Sequence, residues 1–198
     1  LNRLGYKVLL PKAHESGRTF ISKGLLRTAK KLAEKNVELF NKILQDDRVL
    51  VGVEPSAILS FRDEYPDLLR GENKQNAINV ASRAMLLEEF VVAEFNAGRI
   101  SRNQFTLNPL QIKVHGHCQQ KAIASVKQTI EALTIPENYL AIEIPSCCCG
   151  MAGSFGYEKE HYDISMKVGE LVLFPAVRDS KAEEIIVAAG TSCRHQIK

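Results

Sequence analysis

The residues of this chain that are best suited to chemistry are its five cysteines, all in the second half of the sequence: Cys118, Cys147, Cys148, Cys149 and Cys193. Three of them are consecutive, and neighbouring cysteines form a disulfide only in a strained ring, so a disulfide framework is a poor explanation of the pattern. Free thiols in a reducing compartment are the better interpretation. Four thiolates brought together would make a metal site, because soft sulfur ligands select zinc, copper(I) or iron–sulfur clusters.

The adjacent pair Cys148 and Cys149 bears on the choice between these metals. A tetrahedral zinc usually takes cysteines two to four residues apart, and successive side chains of an extended chain diverge. Neighbouring thiolates can instead reach two different irons of one cluster. Gly150 and Gly153 let the backbone approach closely and turn peptide N–H groups toward the sulfurs, which is one way in which a reduction potential is set. An iron–sulfur cluster is therefore the first hypothesis and zinc the alternative.

Short apolar runs alternate with longer segments of helical periodicity, which predicts an α/β fold with a mainly parallel sheet. The strands are predicted at 6–10, 49–53, 110–114, 139–144 and 185–189, and the helices at 23–44 (capped by Ser22), 77–97, 119–133 and 161–173. Three of the predicted strands are followed by cysteines. Because ligands gather at the carboxyl ends of strands in open α/β sheets, we expect these cysteines to converge on one cavity.

The two halves of the chain have similar sequence patterns, which predicts two pseudo-repeated α/β lobes, residues 1–100 and 101–198. In each half a strand ending in proline leads to a glycine loop, a helix, another strand and a second loop. The spacing from Gly17 to Ala57 in the first half is close to that from Gly150 to Cys193 in the second. Cysteines occur in the second copy alone.

Three strings make the resemblance to a known family specific. They are His115-Gly116-His117-Cys118, Cys148-Cys149-Gly150-Met151-Ala152-Gly153-Ser154-Phe155-Gly156 and Gly190-Thr191-Ser192-Cys193-Arg194-His195-Gln196. They resemble the CCG-type cysteine-rich domain found in the iron–sulfur subunit of glycolate oxidase, in heterodisulfide reductase and in related lactate and glycerol-3-phosphate dehydrogenases. In particular, the chain resembles the C-terminal part of fused FAD and iron–sulfur oxidoreductases of the D-lactate/glycolate dehydrogenase type.

The resemblance implies that Cys118, Cys148, Cys149 and Cys193 hold one cluster of the 4Fe-4S kind, with Gly150 and Gly153 against the cofactor. Two departures from the family pattern limit what is implied. Glu15-Ser16-Gly17 and Ala57 stand where the family's first repeat often has cysteines, which implies a repeat that has kept its fold and lost its metal site. Gln196 stands where the motif ends in a further cysteine, which argues against a double cluster.

The function implied is electron transfer from a flavin to a quinone or other carrier. The FAD-binding and ferredoxin-like domains would belong to the rest of the same protein, of which this chain is expected to be a fragment without activity of its own. A zinc-bearing or metal-free domain that holds subunits together is the alternative function. The net charge of +3 gives no reason to expect nucleic acid binding. The expected location is the cytoplasm, with association at the inner membrane face left open.

Three residues near the presumed ligands have two interpretations each. Cys147 is either a spare ligand or, as its more common role, a small buried hydrophobe. His117 and His195 could coordinate a metal or shuttle protons, although loop histidines are more often satisfied by hydrogen bonds.

Overall fold

The computed structural model describes residues 1–198 and has two small parallel sheets surrounded by helices. The α/β fold with parallel sheets is therefore confirmed. The strands are β1 (Leu50–Gly52), β2 (Ala84–Leu86), β3 (Leu110–His115), β4 (Tyr139–Glu143) and β5 (Glu184–Ala188). The helices are α1 (Arg18–Ser22), α2 (Leu26–Ile43), α3 (Pro55–Arg62), α4 (Glu64–Leu68), α5 (Gly71–Ala81), α6 (Leu87–Asn96), α7 (Cys118–Ile123), α8 (Lys127–Leu133), α9 (Tyr162–Leu171), α10 (Leu173–Arg178) and α11 (Thr191–Ile197).

In the first half, strands β1 and β2 pair in parallel, and helices enclose the largest apolar core of the molecule. Helix α2 buries Ala33, Val37 and Phe40, which recur every three or four residues and therefore lie on one face. Phe61 packs edge-on against Phe40, with the ring centroids 5.4 Å apart. This core contains no cysteine and gives the first half an apolar interior of its own.

In the second half, three parallel strands lie in the order β4-β3-β5, so the central strand is the first in sequence. Ile112 and Val114 of β3 are buried with Ala141 of β4 in a smaller core. Since all three strands run in the same direction, their carboxyl ends share one edge of the sheet. The segments that follow this edge carry all five cysteines: Cys118 and Cys193 in the first turns of helices, and Cys147, Cys148 and Cys149 on a loop.

The predicted strand at 6–10 is wrong, because this segment has no partner strand and no regular structure. Its apolar residues stay exposed, Leu10 at 92%. A run of β-forming residues becomes a strand only where a ladder partner exists. The segment is instead anchored by Tyr6, whose hydroxyl donates to Glu94 at 2.7 Å.

Three predicted helices also differ from the structure, each for a local reason. The predicted helix 77–97 contains strand β2, because residues 84–86 pair with β1. The helix predicted from 23 begins only at Leu26, since Gly24 has a φ of +72° and turns the chain. Ser22 is therefore not its cap; this serine ends α1 and donates to the carbonyl of Arg18. The helix predicted at 119–133 is broken into α7 and α8 near Ala124, whose backbone (φ −140°, ψ −142°) is outside the helical region.

The two halves pack together through helices and a buried polar network. Helix α3 lies against α7, and α6 lies against α8. Glu88 of α6 accepts hydrogen bonds from the Gln120 amide at 3.2 Å and from the Thr129 hydroxyl at 3.0 Å. Gln120 is 1% exposed, so its polar groups need partners within the protein. No helix of the structure combines the length and apolar character that crossing a membrane requires.

Candidate metal centre

Each presumed ligand lies just beyond the carboxyl end of a strand of the three-stranded sheet. Cys118 begins α7, which follows β3; Cys148 and Cys149 lie on the loop after β4; and Cys193 lies on α11, after β5. The strands run in parallel, so loops that are dozens of residues apart in sequence leave the sheet at the same edge. The sequence therefore positions these four thiols through sheet topology and not through local spacing.

The thiols influence one another in series, Cys118 with Cys148, Cys148 with Cys149 and Cys149 with Cys193. The sulfur atoms of Cys149 and Cys193 lie within 4.8 Å of each other, and Cys118 is at the exposed end of the series. All the cysteines are free thiols. Hydrogen bonds from the thiols of Cys118 and Cys149 lower the pKa of Cys148, and the same contacts raise the pKa values of the two donors. Cys149 and Cys193 are 2% and 1% exposed, so this end of the series is shielded from solvent.

His115, the last residue of β3, also points into this cluster. One of its ring nitrogens, Cys149 Sγ and Cys193 Sγ all lie within 4.8 Å of one another. A hydrogen bond from Cys149 is the main influence that lowers the pKa of Cys193; burial opposes it, and a further hydrogen bond with His115 supports it. The His115 Nδ1 atom is 2.6 Å from the Ser146 hydroxyl, and both residues are buried, so the ring orientation is fixed.

The Cys-Cys-Gly loop is held close to helix α9. The backbone N–H of Gly150 donates to Cys148 Sγ at 3.3 Å, as the glycine-rich sequence predicted for the peptide groups of this loop. Gly150 has a φ of +99°, a conformation that L side chains rarely adopt, and a Cβ here would overlap the carbonyl oxygen of Ser165. Glycine is therefore required both by the backbone conformation and by the space available.

The other predicted residues have different surroundings. Gly153 faces the first half of the chain, where a Cβ would lie 3.1 Å from Ser22 Oγ. Cys147 is exposed, so its interpretation as a small buried hydrophobe is wrong. His117 caps α7, its Nδ1 atom accepting from the backbone N–H of Gln119 at 3.2 Å. His195 lies 2.5 Å from the hydroxyl of Tyr157 through Nδ1. Both histidines thus have the hydrogen bonds that are usual for loop histidines.

Sequence reasoning missed His115 as a residue of the site. The string from His115 to Cys118 contains it, but strand periodicity does not show that the last side chain of β3 turns toward the cysteines. Its burial, at 1% exposed, was not predictable from a polar side chain next to a glycine.

All three cysteine loops are tied to the cysteine-free half. Next to Cys118, the Gln119 amide donates to Glu64 at 3.1 Å. Beyond the Cys-Cys-Gly loop, Glu158 forms an ion pair with Lys23. Before Cys193, Thr191 donates to Glu54. The first half therefore contributes to the shape of the site without supplying a thiol.

Comparison with known proteins found similar dehydrogenases along the whole chain. A subunit of the anaerobic glycerol-3-phosphate dehydrogenase of Escherichia coli K12 is 30% identical over 205 residues, which cover all of this chain and 48% of that protein. The D-2-hydroxyglutarate dehydrogenases of Haemophilus influenzae and Escherichia coli K12 are 27% and 26% identical, and the matched regions cover 19% and 18% of those proteins. No family model and no solved structure matches the chain.

These matches confirm the resemblance to oxidoreductases that the cysteine motifs indicated. The chain spans about half the length of the glycerol-3-phosphate dehydrogenase subunit and about a fifth of the D-2-hydroxyglutarate dehydrogenases. What is similar is thus one region of each larger protein.

Proposed function

We propose that this chain is an electron-transfer domain of a flavin-dependent 2-hydroxyacid dehydrogenase. In this proposal Cys118, Cys148, Cys149 and Cys193 hold an iron–sulfur cluster of the 4Fe-4S kind. The observation that carries the proposal is that all four cysteines follow the carboxyl ends of three paired parallel strands, at one edge of the sheet. The similarity to dehydrogenases along the whole chain supports it.

The chemistry of the donor set fits such a cluster. Four soft sulfur ligands are what iron–sulfur centres use, and two of them are adjacent in sequence, which suits two metal atoms better than one. The Gly150 N–H that donates to Cys148 Sγ is the kind of group that stabilises negative charge on cluster sulfurs. Burial of Cys149 and Cys193 would keep water away from one side of the site.

A bound cluster of this type supplies single-electron transfer between a donor and an acceptor. The residues of the chain have the task of holding the site rigid: strand ends set the positions of the loops, and Ser146 fixes the His115 ring. We assign substrate oxidation to the flavin and the FAD-binding domain elsewhere in the protein, with a ferredoxin-like domain alongside. A quinone or another carrier is the proposed acceptor.

One observation favours a second candidate, a zinc-bearing structural or subunit-interaction domain. The ring nitrogen of His115 lies with Cys149 and Cys193 in a group of three zinc-type ligands. Ligating histidines are usually oriented by a further hydrogen bond, and here the Ser146 hydroxyl lies 2.6 Å from His115 Nδ1. A metal-free interaction domain is the remaining form of this alternative.

The two candidates are separated by a redox experiment on the full chain, purified and reconstituted without oxygen. The proposed function predicts a visible absorbance that bleaches with dithionite and returns when a soluble quinone is added. A protein that contains zinc, or no metal, and shows no reversible change would support the structural candidate and contradict the electron-transfer function.

We also propose that residues 1–100 and 101–198 are copies of one ancestral unit. Gly17 and Gly150 support this, because both have positive φ values, +72° and +99°, and both approach the backbone of the following long helix. Gly17 packs against Ala29 of α2, and Gly150 packs against Ser165 of α9. In the first copy the segment before Gly17 carries Glu15 and Ser16 where the second carries Cys148 and Cys149.

A further inference from the structure

Glu54 links the cysteine-free half to the start of α11, the helix that carries Cys193. One oxygen of its carboxylate, Oε2, accepts hydrogen bonds from the backbone N–H and from the hydroxyl of Thr191, each at 2.8 Å. The other oxygen, Oε1, accepts from the Ser56 hydroxyl at 2.9 Å. Glu54 lies 137 positions before Thr191 in the chain, so this is a tertiary contact and not a local cap.

Thr191 is the first residue of α11, and Cys193 lies two residues further on. The first N–H groups of a helix have no partner inside the helix, and an outside acceptor can therefore determine where the helix begins. Helix α11 has only seven residues, too few to be stable by itself. Its position must come from contacts at its ends and along its buried face.

The Thr191 hydroxyl is held from two sides. It donates to Glu54 and accepts from the Arg194 guanidinium at 3.0 Å. Arg194 also donates to the carbonyls of Ala188 and Ala189, at the end of β5. The start of α11 is thus fixed to its own strand by Arg194 and to the other half of the molecule by Glu54.

The Glu54 carboxylate is itself well fixed. It is half-buried, just before α3, and the Ser56 hydroxyl sets its orientation. Burial alone would raise the pKa of Glu54, but the hydrogen bonds from Thr191 and Ser56 and the nearby His117 outweigh burial and lower the pKa. The group therefore remains a carboxylate at neutral pH, and hydrogen bonds to a charged acceptor are stronger than neutral ones.

We propose that Glu54 is a positioning residue for Cys193: its carboxylate holds the first turn of α11 so that the Cys193 sulfur stays buried against Cys149. This inference deepens the proposed function, on which its relevance to a cluster rests. The geometric part concerns the chain without metal and can be tested independently.

The test compares Glu54→Ala and Glu54→Gln with Glu38→Ala, a control at a carboxylate whose side chain is 70% exposed on α2. Metal-free, reduced protein is treated with iodoacetamide, and the labelling rate of each cysteine is measured by mass spectrometry. Loss of charge-assisted hydrogen bonds predicts that Cys193 is labelled about ten to a hundred times faster in Glu54→Ala. Glu54→Gln keeps an oxygen acceptor and should recover part of the protection.

Amide hydrogen exchange in the same variants distinguishes local positioning from general stability. Residues 191–197 should lose protection in Glu54→Ala, whereas helix α2 should exchange as in the unaltered chain and in Glu38→Ala. An unchanged Cys193 labelling rate in a folded Glu54→Ala variant would overturn the proposal. An equal loss of protection throughout the chain would also overturn it, because Glu54 would then be a general stability residue.

Thr191→Val provides a second variant should Glu54→Ala not fold. It removes the hydroxyl and leaves the backbone N–H, so the proposal predicts faster Cys193 labelling by a smaller factor, and no change would count against it. None of these measurements needs iron. The two proposals can therefore fail separately. Absence of a cluster in the unaltered chain would refute the proposed function, and the labelling rates would still decide the role of Glu54.

Discussion

Gly150 packs its α-carbon against the carbonyl oxygen of Ser165, so closely that no side chain fits between them. Ser165 is held in turn by Gln196, whose amide donates to the serine hydroxyl at 3.0 Å. The Cys-Cys-Gly loop, helix α9 and the end of α11 thus form one packed unit behind the cysteines. The position of the loop depends on this contact as well as on any bound group.

Replacing Gly150 with alanine should destabilise the protein more than the same change at Gly24. Both glycines have positive φ values, +99° and +72°, so both variants carry a backbone penalty of about 1–2 kcal/mol. At Gly24 a Cβ would meet nothing within 4 Å, whereas at Gly150 it would overlap Ser165. We expect Gly150→Ala to lose about 1–3 kcal/mol more in the free energy of unfolding. Urea denaturation measures both variants, and equal losses would show that the Ser165 contact is unimportant.

Single serine substitutions test which thiols are ligands. Cys118→Ser, Cys149→Ser or Cys193→Ser should each abolish the visible absorbance of the anaerobically reconstituted chain, because a four-thiolate cluster needs every ligand. Cys147 is exposed, as Cys118 is, but it is outside the proposed ligand set, so Cys147→Ser is the matched control and should retain most of the absorbance. Full iron and sulfide in Cys118→Ser would show that the ligand set is wrong.

Tyr65 should make stability fall at alkaline pH. Its ring is fully buried, and its hydroxyl donates to the carbonyl of Ser16 at 2.9 Å and contacts the Asn36 amide. Burial raises the pKa of Tyr65 from 10.0 to about 12. A raised folded-state pKa means that its contribution is fully present below pH 10 and is lost as the pH rises toward 12, by about 2 kcal/mol.

Tyr65→Phe is the variant that isolates this contribution. It should lower the free energy of unfolding at neutral pH, because the Ser16 carbonyl and Asn36 lose a partner, and it should reduce the slope of stability against pH between 10 and 12. Both proteins contain the same cysteines, so subtracting one free energy of unfolding from the other at each pH cancels the contribution of cysteine titration. If the free energies of unfolding of the two proteins changed equally with pH between 10 and 12, the alkaline loss of stability would not be due to Tyr65.

The parallel sheets and the order of most elements could be predicted from apolar runs and helical periodicity. The segment at 6–10 could not, because its strand-like composition has no partner strand to pair with. Strand β2 was hidden within a helical pattern, since its identity depends on pairing with β1 far away in sequence. Local patterns indicate what a segment prefers, whereas pairing depends on the whole chain.

The candidate site could also be predicted only in part, because some of its features are local and others depend on long-range packing. The sequence predicts a strand before each group of cysteines. If these strands are parallel, the cysteines must lie at one edge of the sheet. The inclusion of His115 and the ties from Glu54 and Glu64 to the cysteine loops depend on tertiary packing between the halves. No spacing rule connects positions so far apart, so these residues emerged only from the structure.

The most direct test of the account is the iron and acid-labile sulfide content of the full chain, reconstituted and purified without oxygen. We predict about four of each per chain, the content of a 4Fe-4S cluster. The same preparation of Cys148→Ser/Cys149→Ser should contain neither. A chain that takes up one zinc ion and no sulfide under these conditions, or a double variant that binds as much iron and sulfide as the unaltered chain, would contradict the account.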